Sequence, residues 1–154
     1  ETAALAPEWH KNSIRPIADA EDGTVAAGMQ WQGEDMPPAM VAMHRRGAGE
    51  MTMLATPDAN LRDLKGYIGS IAVNSGIITA TSPRGGVVHR YDIAQRSLHD
   101  SQSFADVSGV AASADEVIVS TGTGKLVSLE RPAAKVSLPQ LQFDNHLVNL
   151  ARQP

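Results

Sequence analysis

The chain contains no cysteine, few aromatic residues and no long apolar run. The lack of cysteine excludes disulfides, thiolate nucleophiles and cysteine metal sites. Aromatic residues make up 4% of the chain and the formal net charge is -4, which argues against a basic, ring-lined surface for nucleic acid. No apolar run approaches the roughly 20 residues of a membrane span. The composition indicates a globular chain with a core of Ala, Val, Ile, Leu and Met.

The sequence carries an internal repeat. Residues 78–92, ITATSPRGGVVHRYD, align without a gap with residues 117–131, VIVSTGTGKLVSLER, at an offset of 39. A third copy begins at residue 16 and has an inserted loop at residues 32–38. Each copy has short runs rich in Val, Ile and Thr between Gly, Pro, Asn and Asp, which predicts strands joined by turns. Four strands in a unit of about 40 residues are typical of a propeller blade.

We therefore predict an all-β chain that forms a partial β-propeller of about three four-stranded antiparallel blades. The predicted units cover residues 13–56, 67–104 and 107–141, and residues 142–154 form a closing tail. In the second unit we expect strands at 70–74, 77–82, 87–93 and, more weakly, 98–104. A β-sandwich is the alternative, although a sandwich does not require a repeat. Because propellers close with about four to eight blades, we expect the chain to be part of a larger ring.

A single short helix is predicted at residues 57–65, between the first two units. Thr56 is the expected cap, Pro57 suits the first helical position and Gly66 suits the end.

Several stretches resemble one bacterial family, the domain-of-unknown-function 1513 family: SIRPIA at 13–18, DGTVAAGMQWQG at 22–33, HRRG at 44–47, GYIGSIA at 66–72, TSPRGG at 81–86 and DNHLV at 144–148. The resemblance implies a seven-bladed type of β-propeller of roughly twice this length, and the chain resembles its C-terminal half. It also implies twin-arginine export to the periplasm and genes beside imelysin-type iron-uptake genes. It implies no reaction. The chain begins at Glu1 without an export signal, so we expect an upstream part to be missing.

The stretch TATSPRGG at residues 79–86 raises the question of an anion-binding loop. A phosphate-binding loop needs glycines that open a helix, whereas these glycines lead into the alternating run VVHRY. The matched stretch TGTGK at 121–125 fails as a P-loop because Leu126 follows its lysine. Both stretches are interpreted as hairpin turns. For Arg84 there is a second interpretation, in which its guanidinium binds a carboxylate or a phosphate at the rim where loops gather.

Three further motifs have both a structural and a functional interpretation. In QWQ at 30–32, either the tryptophan packs between blades or the glutamines face a ligand. Asp144 and His146 either form a structural corner or bind iron or manganese with further ligands from other strands. The six methionines between residues 29 and 53 either fill the core or bind cuprous copper. Of these, Met36 and Met40 are expected to be exposed.

No nucleophile, base and orienting group can be assembled from the sequence. The first hypothesis is a non-catalytic periplasmic binding or scaffold protein of an iron-acquisition system, with an imelysin-type partner and no nucleic-acid partner. The alternative is a metal- or cofactor-dependent enzyme with its site on the propeller axis. Open blade edges also predict self-association of the isolated half. The candidate ligand-binding residues are Arg15, Gln30, Gln32, Arg84, Asp144 and His146.

Overall fold

The computed structural model describes residues 2–37 and 39–148 and contains three four-stranded antiparallel sheets. The first sheet consists of β1 (Asn12–Asp19), β2 (Thr24–Trp31), β3 (Val41–Arg45) and β4 (Thr52–Met53). The second consists of β5 (Ser70–Asn74), β6 (Ile77–Ser82), β7 (Val87–Asp92) and β8 (Ser97–Ser103). The third consists of β9 (Val107–Ala112), β10 (Val117–Thr121), β11 (Lys125–Ser128) and β12 (Lys135–Ser137). In each sheet the strand order follows the chain, and the all-β prediction is confirmed.

The stretch TATSPRGG is the end of β6 followed by a turn at residues 83–86, as predicted. The backbone N–H of Gly86 donates to the carbonyl O of Ser82 at 2.8 Å, and Gly86 has a φ of 64° that favours glycine. Gly124, which the repeat aligns with Gly85, has a φ of 81° in the turn between β10 and β11. Gly86 and Gly124 therefore serve the same purpose, which is to close a hairpin, at positions that differ by one residue in the repeat alignment.

The first strands of the three sheets lie next to one another, with β1 against β5 and β5 against β9. Hydrogen bonds fix these junctions. The backbone N–H of Ile68 donates to the carbonyl O of Met29 at 3.0 Å, and the hydroxyl of Thr81 donates to the carbonyl O of Ser108 at 2.6 Å. The sheets are thus held side by side along their first strands, as blades of a propeller are.

The core consists of two apolar clusters, one on each face of the second sheet. Met29, Leu54 and Ile68 belong to the cluster shared with the first sheet, together with Tyr91. Val88 belongs to the cluster shared with the third sheet. Because side chains alternate along β7, the second sheet is buried on both faces and is the centre of the structure.

Helix α1 (Asp58–Asp63) lies within the predicted range, but the prediction of its cap was wrong. Pro57 stands at the N-cap, and no side chain caps the helix. The hydroxyl of Thr56 lies 3.2 Å from Oη of Tyr91 instead, so this side chain points to the core rather than back along the helix. Within the described part of the chain, no helix has the length and apolar character needed to cross a membrane.

The first and third sheets both carry exposed apolar side chains. Ile17 on β1 is 66% exposed, and Val136 on β12 is 53% exposed. Pro38 of the inserted loop and residues 149–154 of the predicted closing tail lie outside the described residues. The predictions of a larger ring and of self-association both stay predictions.

Candidate functional site

One end of the three sheets gathers the loops, and we call this end the rim. It carries the loop of residues 32–40 between β2 and β3, the turns at 83–86 and 122–124, and the segments that lead into β5 and β9. The strand register defines it, because Trp31 pairs with Asn12 and Thr81 pairs with Ser70. Loops that converge at one end of a propeller are where these folds usually bind.

Tyr67 joins three separate segments at the rim. The guanidinium carbon of Arg84 lies 4.8 Å from the centre of the Tyr67 ring, as in a cation–π contact. The side-chain amide of Asn145 donates to Oη of Tyr67 at 3.1 Å. On its other side, Tyr67 forms an isolated antiparallel bridge with Gln30 at the end of β2. The half-buried ring of Tyr67 therefore connects the first sheet, the turn at 83–86 and the segment at 144–146.

The structure brings four of the six candidate residues to the Tyr67 cluster. Arg84 contacts the Tyr67 ring, Gln30 is the partner of Tyr67 in a backbone bridge, and Asp144 and His146 flank Asn145 in the chain. His146 also forms a parallel bridge with Val110 on β9, which ties this segment to the third sheet. The candidates that stay apart are Arg15, exposed at an irregular position of β1, and Gln32, which is also exposed.

The metal interpretations gain no ligand set from the structure. Within residues 2–37 and 39–148, no group of three or more His, Cys, Asp or Glu side chains is placed to hold a metal ion. One carboxylate oxygen of Asp144 accepts from the backbone N–H of Asn145 at 2.7 Å, which is the pattern of a structural corner. Asp144 and His146 thus provide two ligand types, and the described part of the chain adds no third His, Cys, Asp or Glu to form a site.

The methionines chiefly fill the core, as the structural interpretation expects. Met29 and Met43 are buried in the cluster between the first and second sheets. Met36 is 41% exposed, as predicted. The prediction of an exposed Met40 was wrong, because this residue is fully buried where the inserted loop returns to β3.

A cavity of about 560 Å³ opens at the rim beside the Tyr67 cluster. Trp31 lies against the core and also lines this cavity, and its indole N–H donates to the carbonyl O of Asp35 at 2.6 Å. The inserted loop forms one wall, and the end of α1 forms the other together with the turn at 83–86. Its volume lies in the range of about 300–1,000 Å³ that small-ligand sites occupy. The charged residues that line it are Glu34, Asp35, Arg62, Lys65 and Arg84.

In the described part of the chain, two titratable side chains are fully buried, and both lie in β7. His89 and Tyr91 are both 0% exposed, and Nδ1 of His89 lies 3.4 Å from Oη of Tyr91. Burial lowers the pKa of His89 to about 4 and raises the pKa of Tyr91 to about 12. Both side chains are neutral at pH 7 and closed to solvent, so the pair stabilises the fold rather than transferring protons to a ligand.

Three residues of this site were missed in the sequence. Tyr67 lies in the stretch GYIGSIA, which was noted only for its family resemblance. Arg62 and Lys65 belong to no motif in the sequence, and only their position opposite the inserted loop makes them part of a cavity. The sequence did offer one sign of this site. All three residues lie at the junction between the first two repeats, where propeller loops meet.

We expect Tyr67→Phe to lower the free energy of unfolding by about 1 kcal/mol, because it removes the hydroxyl that accepts from Asn145. The ring that Arg84 covers stays in place. Urea titrations of Tyr67→Phe, Asn145→Ala and the double variant form a thermodynamic cycle. If the two single losses simply add in the double variant, the hydrogen bond does not contribute as described.

The sequence resemblance is confirmed at the level of the family. The profile described as "Protein of unknown function (DUF1513)" matches residues 1–150. The chain belongs to the DUF1513 family. No curated protein sequence matches this DUF1513 chain.

Several solved structures resemble the DUF1513 chain. The computationally designed Ika4 protein has a TM-score of 0.54 at 14% identity, over 95% of this chain and 80% of that protein. Hsv2 from Kluyveromyces lactis has a TM-score of 0.52 at 15% identity, over 90% of this chain and 39% of Hsv2. Apo AztD from Citrobacter koseri has a TM-score of 0.52 at 10% identity, over 86% of this chain and 48% of AztD.

These likenesses show the fold alone, because the identities are too low to carry a function. Hsv2 and AztD are propeller-like proteins, and the DUF1513 chain spans less than half the length of either. The β-propeller-like architecture predicted from the repeat is therefore confirmed.

Proposed function

We propose that this chain belongs to a non-catalytic periplasmic propeller that binds a partner or ligand of bacterial iron acquisition at its rim. The observation that carries the proposal is the Tyr67 cluster, in which three distant segments converge next to an open cavity. The periplasmic location and the iron context rest on the family resemblance alone. The convergence of loops beside a cavity is what supports a binding role.

The chemistry of the rim favours binding over catalysis. Arginine and tyrosine are enriched among the residues that contribute most to binding at interfaces, and the stacking on Tyr67 already restrains the Arg84 side chain. The neutral pair His89 and Tyr91 lies buried in β7 and takes no part in such a surface. An enzyme with a metal or cofactor on the propeller axis stays the alternative, and the experiment below separates the two.

The test is a binding titration between the purified protein and a purified imelysin-type partner. We expect a saturable complex that Tyr67→Ala and Arg84→Ala each weaken by about tenfold, as central interface residues do. Arg46→Ala is the matched control, because Arg46 is exposed and follows β3 at the end of the first sheet away from the rim.

Elemental analysis of the same purified protein decides the alternative. Stoichiometric iron, manganese or copper that is lost in His146→Ala would favour the metal-dependent enzyme and count against the proposal. A complex of equal strength with the protein and both rim variants would contradict a role for the Tyr67 cluster.

A further inference from the structure

The rim cavity holds opposite charges on opposite walls. Arg62 lies in the last turn of α1, Lys65 follows the helix, and Arg84 lies in the turn at 83–86. The inserted loop provides the carboxylates of Glu34 and Asp35. The chain as a whole carries a formal net charge of -4, whereas the lining of this cavity carries three cations and two carboxylates.

None of the three cations forms an ion pair with a carboxylate of the described residues. The ion pairs found there join Arg90 to Glu130 and Arg131 to Glu116, away from the rim. The guanidinium of Arg62 contacts the thioether of Met36, with 3.5 Å from Nη1 to Sδ. Arg84 uses the face of its guanidinium against Tyr67, and this contact leaves the N–H groups in the guanidinium plane available to an acceptor.

We propose that this cavity binds a carboxylate group carried on an apolar body, a proposal that rests on the proposed binding function of the rim. Arginine N–H groups match the two oxygens of a carboxylate, and such charge-assisted bonds are strong. Trp31 lines the same cavity and offers an apolar surface to the rest of the ligand. Glu34 and Asp35 repel ligands with several negative charges, so the site prefers a single carboxylate to a polyanion.

A single carboxylate can come from a small organic acid or from the C-terminus of a peptide, and two pairs of probes separate these sources. The first pair is 3-phenylpropionate and its neutral amide. The second is the tripeptide Ala-Ala-Phe with a free C-terminus and the same peptide with a C-terminal amide. The signal is the fluorescence of Trp31 in the background of Trp9→Phe, since the chain has 2 tryptophans.

We expect at least one acid to give a saturable change and its amide to bind about tenfold more weakly or not at all. Arg84→Gln and Arg62→Gln should each weaken the acid by about tenfold, whereas the control Arg46→Gln should leave it unchanged. Glu34→Gln should strengthen binding by about threefold, because it removes a repelling charge. The better acid of the two identifies the source.

Equal binding of acid and amide overturns the proposal, and so does an unchanged affinity in both arginine variants. No saturable response from either acid up to about 10 mM also overturns it, because a weaker site has no use as a specific one. If the acids fail while the imelysin-type partner still binds in a Tyr67-dependent way, only the carboxylate assignment fails. If both fail, the binding function of the rim fails with it.

Discussion

Lowering the pH from 7 to 4 is expected to remove roughly 3 kcal/mol from the free energy of unfolding through His89 alone. The pKa of His89 falls from its ordinary value of 6.5 to about 4 in the folded protein, and burial of the ring is the main cause. Between these two values the unfolded chain binds a proton that the folded protein excludes. The stability that His89 provides by staying neutral is therefore fully present above pH 6.5. It declines as the pH falls toward 4 and changes no further below that value.

The surroundings of His89 explain why its protonated form is disfavoured. Its Nδ1 faces Oη of Tyr91, which in turn lies 3.2 Å from the hydroxyl of Thr56. Its Nε2 is buried and has no hydrogen-bond partner among residues 2–37 and 39–148. The carboxylates of Asp63 and Asp100 favour the charged ring, but they do not offset the cost of burying it.

Urea titrations at several values between pH 7 and pH 4 measure this effect. In His89→Gln the side chain no longer titrates, so the decline between pH 6.5 and 4 should shrink by roughly 3 kcal/mol. His99→Gln is the matched control, because His99 is exposed on the neighbouring strand β8. Equal declines in the original protein and in His89→Gln would show that His89 is not the group responsible.

Most of the architecture follows from local patterns and from the repeat. The second unit was predicted closely, since strands expected at 70–74 and 77–82 are β5 and β6 with the same bounds. Turns marked by Gly and Pro and strands rich in Val and Ile are decided by neighbours in sequence. Thr56 shows the limit, because its hydroxyl lies next to Oη of Tyr91, a partner 35 residues away, and that partner outweighs a local cap.

The candidate site was predicted less well because it depends on contacts between distant segments. Asp144 and His146 were the candidates of their segment, yet the contact with the rim is made by Asn145 between them. Arg84 was a candidate for its chemistry alone, whereas its partner Tyr67 is known only from the fold. The charged residues at the end of α1 and in the inserted loop line one cavity only in the folded chain, where both segments lie next to Trp31.

Gly85→Ala is expected to lower the free energy of unfolding by about 3 kcal/mol. A Cβ at this position would overlap the carbonyl O of Asp63 and lie 3.0 Å from its carbonyl carbon. Both are backbone atoms of α1, so the clash cannot be relieved by turning a side chain. The hydroxyl of Ser82 also fixes this junction, since it donates to the carbonyl O of Leu64 at 2.8 Å and accepts from the N–H of Gly85 at 3.1 Å.

Gly49→Ala is the matched control, because nothing lies within 4 Å of a Cβ built there. It should change the free energy of unfolding by less than about 0.5 kcal/mol in the same urea titration. The close approach at Gly85 also determines where Arg84 stands relative to α1 and the cavity. Gly85→Ala should therefore weaken carboxylate binding even at low temperature, where the variant is still folded. A loss as small as that of Gly49→Ala would mean that the turn and the helix can separate freely, and the rim would then lack the rigidity that its proposed binding site requires.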